Sequence, residues 1–112
     1  MRYALLICQD EEELKPEAMS ERLAAFGAFQ EEMAERGVLL DGQRLRPIAT
    51  ATTVRVRNGD LVVADGPFAE TKEQIAGFYL VDCKDLDEAI EVASKIPSAS
   101  WGTIEVRPIW EM

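Results

Sequence analysis

The run Thr52-Thr-Val-Arg-Val-Arg57, followed by Asn58-Gly59 and Asp60-Leu-Val-Val63, constrains the fold more than any other stretch. Apolar and polar residues alternate on both sides of Asn-Gly, the pattern of a strand with two different faces. Asn-Gly suits a type I′ turn because both central positions need positive φ. The stretch predicts a β-hairpin, and a hairpin in mid-chain commits its neighbours to sheet.

The flanking segments supply the rest. Tyr3–Cys8 reads as a short buried strand, and Gln9–Lys15 as an acidic connection. Pro16 suits the first turn of a helix, where its missing N–H costs nothing. Met19, Leu23, Phe26, Gln30 and Met33 then recur at 3–4 spacing, which predicts an amphipathic helix with the methionines in the core. Gly37 stops it, and Arg36 sits where the helix dipole favours a cation. Val38–Leu45 reads as a strand bent at Asp41-Gly42 and ended by Pro47. Ile75–Asp82 is another strand, in which Gly77 permits close backbone approach. Asp85 and Glu88 have capping-box spacing ahead of a second helix. Its buried face is predicted from Leu86, Ala89, Ile90, Ala93 and Ile96, with Pro97 as the stop. Thr103–Arg107 alternates as a last strand, and Pro108 marks an edge or an end.

The order is β-α-β, hairpin, β-α-β: an α+β, ferredoxin-like split βαβ repeat with an inserted β-hairpin, read as a single domain over residues 1–112. Two helices cover one face of such a sheet. A second copy of the chain is the simplest cover for the other, so a homodimer in the form of a dimeric α+β barrel is expected. The first and third core strands are expected to be central, parallel neighbours. That would bring the Cα atoms of Cys8 and Cys83 within about 8 Å, a little beyond the disulfide range.

Charge and composition narrow the function. With 21 acids against 12 bases the net charge is −9, which argues against a nucleic-acid partner and against an anionic membrane surface. No stretch approaches the roughly 20 apolar residues of a membrane span. No signal peptide precedes the first strand, so a cytoplasmic location with reduced cysteines is expected. The chain has no histidine, which removes Ser-His and Cys-His nucleophile systems and His-ligated metals. The two cysteines alone cannot make a structural zinc site. No cofactor or metal is expected, and acid–base chemistry would fall to Asp, Glu, Lys, Tyr or Cys.

The segment Asp65-Gly-Pro-Phe-Ala-Glu-Thr-Lys-Glu73 connects the hairpin to the next strand. Gly66 accepts φ values that other residues avoid, and Pro67 stiffens the corner. Phe68 offers an apolar anchor. The functional reading makes Asp65 a general base or a ligand-orienting carboxylate at a cleft, with Gly66 and Pro67 shaping it. Tyr79 would be a hydrogen-bond donor or acid, and Arg55 or Lys72 would hold an anionic ligand. The structural reading has Asp65 accept backbone N–H groups to fix the turn. Phe68 and the Tyr79 ring are then core, and the charges are solvated. Trp101 and Trp110 flank the last strand and are expected at a dimer interface rather than on a ligand.

The nine residues Asp65–Glu73 resemble the DGPF (DGPFAETKE) branch of the YCII-related proteins. The similarity extends to Arg2-Tyr-Ala-Leu-Leu-Ile7, Ala49-Thr-Ala-Thr-Thr-Val-Arg55, Gly77-Phe-Tyr-Leu-Val81, Asp85-Leu-Asp-Glu-Ala89 and Ile104-Glu-Val-Arg-Pro108. It implies a ferredoxin-like dimeric α+β barrel in a bacterial cytoplasm. The wider family is suspected of enzymatic activity because of a His-Asp pair. Asp65 is the position that matches the aspartate, and its histidine partner is missing here. Some relatives in this branch are associated with alternative sigma factors. Two functions follow: a small cofactor-free enzyme or small-molecule-binding barrel with a cleft near Asp65, or a non-catalytic dimeric module that binds a protein partner.

Overall fold

The computed structural model describes residues 1–13 and 16–111. Among them are strands β1 (Arg2–Gln9), β2 (Leu39–Arg44), β3 (Thr52–Arg57), β4 (Asp60–Asp65), β5 (Gln74–Asp82) and β6 (Thr103–Pro108), with helices α1 (Met19–Glu35) and α2 (Leu86–Ser94). The last two residues of the acidic connection, Leu14 and Lys15, lie outside the described residues.

Four strands form one antiparallel sheet in the order β2-β5-β1-β6, and β3 and β4 form a separate two-stranded sheet. The result is a mixed α+β fold with two helices, consistent with a ferredoxin-like arrangement. The sheet does not close into a barrel within the chain. β6 lies at an edge and ends at Pro108, where a residue without an N–H does no harm.

The core lies between one face of this sheet and the helices. Tyr3, Leu5 and Ile7 point inward from β1, and Tyr79 and Val81 from β5. Phe29 and Met33 meet them from α1, and Ala89, Val92 and Ala93 from α2. Arg36, just past α1, bonds both oxygens of Glu91 on α2, at 2.9 and 3.1 Å, and ties the helices together. Asp85 caps α2 by accepting the Glu88 N–H at 2.9 Å, and the Glu88 carboxylate accepts the Lys84 N–H. The capping box is therefore present, with its return arm one residue earlier than the usual form.

Both helices bury faces rotated from those expected. On α1, Leu23 and Gln30 are exposed and Met19 is half-buried, while Phe29 carries the core contact. On α2, Leu86 and Ile90 are exposed and Val92 is buried. α2 also ends at Ser94, and Pro97–Ser100 forms a separate 3-10 turn behind the buried Ile96.

The parallel pairing expected for the first and third core strands is overturned. β1 and β5 run antiparallel. β2 and β5 also pair antiparallel, so β5 runs against both strands of the first βαβ unit. Cys8 faces Ile75, whereas Cys83 follows Asp82, which faces Arg2 at the other end of the pair. Roughly six strand residues, about 20 Å, separate the two thiols along the sheet. They cannot form a redox pair within one chain.

The hairpin forms as expected. Asn58 and Gly59 have φ of 53° and 80°, and Arg57 faces Asp60 across the turn. It stands away from the body: Val54, Val56, Leu61 and Val63 are each more than half exposed. The radius of gyration is 15.9 Å, against about 13 Å for a compact chain of this length.

Candidate functional site

A concave site of about 200 Å³ opens between α1 and the end of the sheet formed by β2 and β5. One wall is the α1 stripe Met19, Arg22, Leu23, Phe26 and Gln30. These residues share a helix face, as their spacing predicts, but the face borders a cleft instead of filling the core. The opposite wall comes from Gly42–Pro47 and Ala76–Tyr79, and Trp101 closes one side.

Tyr79 sits at the bottom, 4% exposed. Its ring packs on Phe29 with centroids 5.0 Å apart. Gly42 lets the ring lie against β2: a Cβ there would collide with the Tyr79 ring. Gln30 Nε2 donates to the Tyr79 hydroxyl at 2.9 Å, which leaves the phenolic O–H as a donor. Burial pushes the Tyr79 phenol above its ordinary range, and the Gln30 bond only partly offsets it. The residue is therefore a neutral hydrogen-bond donor at physiological pH and not a base.

Trp101 is held on two sides. The Arg22 guanidinium lies 4.0 Å from its ring centroid, and Phe26 meets it edge-on with centroids 6.5 Å apart. It packs within its own chain, while Trp110 is 86% exposed. Arg44 and Arg46 complete the polar part of the wall. Glu11 is the acid on this wall, and one of its oxygens accepts the Ile48 N–H at 2.6 Å.

A second, shallower groove lies on the far side of Leu45–Pro47, which lines both concavities. Arg55, Pro67 and Phe68 belong to it. Of the residues singled out from sequence, the structure thus brings Arg55 and Pro67 to one side of this ridge and puts Tyr79 on the other. Asp65 and Lys72 line neither concavity.

The corner at Asp65 is not held as the structural reading expected, by the Asp65 carboxylate. Gly66 has φ of +96°, donates its N–H to Ala51 O at 2.7 Å, and accepts the Thr53 hydroxyl at 2.7 Å. Thr53 and Ala51 hold the turn. The Asp65 side chain is exposed and makes no hydrogen bond among the described residues. Phe68, expected as an apolar anchor, is instead 81% exposed among the described residues. Downstream, Gln74 Nε2 bonds Ala69 O and Thr71 O, and Glu73 accepts from Thr103 at 3.1 Å.

Sequence reasoning missed Arg22, Arg44 and Arg46, which come from two segments and converge only in three dimensions. A weak signal was present: Arg44 and Arg46 flank a leucine just before Pro47, the proline read as ending the strand. The half-buried Cys8 lies on the other face of the sheet from Tyr79. Burial, then Glu105 and Glu73, raise its thiol above the ordinary range, which disfavours the nucleophilic thiolate. No group of three or more His, Cys, Asp or Glu able to hold a metal occurs among the described residues.

The YCII-related domain family matches the chain over residues 1–112. A relative, the uncharacterized protein R00369 of Rhizobium meliloti (strain 1021), is 42% identical over 114 residues. That alignment covers 97% of this chain and 92% of the relative.

Proposed function

The chain belongs to the YCII-related family, and from that premise we propose that it is a homodimeric protein of the DGPF branch that binds a small molecule in the cleft above Tyr79. The observation that carries this reading is the union of a concave, mostly apolar site with a few convergent polar groups, the usual form of a small-molecule site. The centre of the site moves from Asp65, where the motif suggested it, to the Tyr79–Gln30 pair. Pro67 and Arg55 serve the neighbouring groove across the Leu45–Pro47 ridge.

Two features support the homodimer. Tyr3, Leu5 and Ile7 face the helices, so Ala4 and Leu6 face away, opposite Leu80 and Phe78 of β5. That apolar stripe has no covering layer among the described residues. The hairpin is also isolated, and a lone two-stranded hairpin is marginal in water.

A thermal-shift screen against a metabolite library tests the cleft. A ligand at 100-fold its dissociation constant adds about 2.7 kcal/mol of stability. The expected hit stabilises wild type and Asp65→Asn alike, and fails on Leu23→Trp, which fills the cleft mouth from a half-exposed helix position. A hit lost in Asp65→Asn and kept in Leu23→Trp returns the site to the DGPF corner. Sedimentation tests the dimer: wild type runs at twice the chain mass and Leu6→Glu at the chain mass. A dimeric wild type that binds no compound favours the second reading, a non-catalytic dimeric module that binds a protein partner.

A further inference from the structure

We infer that the cleft ligand is a small organic anion, a carboxylate on a flat apolar body, with the acid held by Arg44 and Arg46 and the body against Trp101 and Phe26. This rests on the cleft reading above and adds the ligand's chemical class.

The first observation is an imbalance of pairing. Acids outnumber bases 21 to 12, so a cation here has carboxylates to choose from. Arg2, Lys95 and Arg107 each take one, and Arg36 takes three. Among the described residues, Arg44 and Arg46 have no ion pair, and neither do Arg55, Arg57, Lys72 and Lys84, but of these six only Arg44 and Arg46 line the cleft. The recorded polar contact of Arg44 is a 4.0 Å approach to Met19 Sδ. Both nonetheless stand on the wall of a concave site, where guanidinium geometry favours a carboxylate.

The second observation is the shape of the apolar part. Trp101 presents an aromatic surface already fixed by Phe26 and by the cation of Arg22. At about 200 Å³ the site is smaller than the roughly 300 Å³ where drug-sized pockets begin, which points to a compact ring. The Tyr79 O–H adds a neutral donor at the bottom.

The net charge of −9 repels anions at long range, but screening limits that to about 8 Å at physiological ionic strength. Inside the cleft the local arginines decide. Glu11 is the opposing charge on the wall, and one of its oxygens is turned to the Ile48 N–H rather than to Arg44 and Arg46, with which it makes no ion pair.

Benzoate and its neutral isostere benzamide serve as probes, followed by the indole N–H signals in NMR. Trp101 is the reporter, its Nε1 donating to Gln9 Oε1 at 3.4 Å, and the exposed Trp110 is the internal control. Benzoate is expected to move Trp101 and not Trp110, and to bind at least about tenfold more tightly than benzamide. Arg44→Gln and Arg46→Gln, both at exposed positions, should bring benzoate down to the level of benzamide. If both probes move Trp101 equally and the substitutions change nothing, the anion inference is overturned and the cleft reading stands. If neither probe moves Trp101, the inference is overturned, and the library screen decides the cleft by itself.

Discussion

The four-stranded sheet and the β3–β4 hairpin are built from similar strands and meet different fates. β1 alternates and so does β3. In β1 the inward residues are covered, and Leu5 is fully buried. In β3 the equivalent residues are open, with Val54 and Val56 about 60% exposed. An alternating sequence specifies a strand and a pairing edge. It does not specify the layer that covers it. That layer is supplied by helices for the sheet, and for the hairpin no described element supplies it.

The largest expected effect breaks the covered half. Met33 is fully buried between α1 and the sheet, and Met33→Ala should cost about 2–5 kcal/mol in urea denaturation. A loss under about 1 kcal/mol would mean that the core is not organised around this contact.

A smaller effect sharpens the comparison through pH. Burial raises the Tyr79 pKa in the folded state. Below the ordinary phenol value of about 10, both states keep the proton and the contribution is full. Above it the unfolded chain releases its proton first, so stability is lost as pH rises through the folded value. Urea midpoints at about pH 9 and about pH 11 should fall more steeply for wild type than for Tyr79→Phe. Equal slopes would place the Tyr79 hydroxyl in water.

The smallest effect belongs to the uncovered half. Leu61→Ser should change stability by no more than about 0.5 kcal/mol at high dilution, since the side chain is 68% exposed. The same substitution should cost more at concentrations where two copies associate. A large loss at every concentration would show that the hairpin is covered by its own chain, and the contrast would collapse.

The elements read correctly from sequence share one property: their determinants lie within a few residues. Asn58-Gly59 set the hairpin turn because only residues tolerant of positive φ fit there. Asp85 and Glu88 set the start of α2 through hydrogen bonds three and four residues long. Strand direction failed for the opposite reason. The sense of β5 against β1 depends on how every intervening element turns. The DGPF motif marked a real corner, with Gly66 at positive φ. Which groups would hold that corner, and that Phe68 would lie bare, were not legible, because both depend on what packs nearby.

The sequence by itself determined the alternation of strands and helices, the hairpin, the caps and the acidic surface, since backbone preference and periodicity act locally. Only the tertiary structure decided that the α1 stripe would wall a cleft. It also decided that Gln30 would reach Tyr79 across 49 residues of chain, and that Arg22 would face Arg44 and Arg46 across one cleft. Such contacts are set by the packing of helix on sheet, and a linear pattern holds no record of which side chains that packing brings face to face.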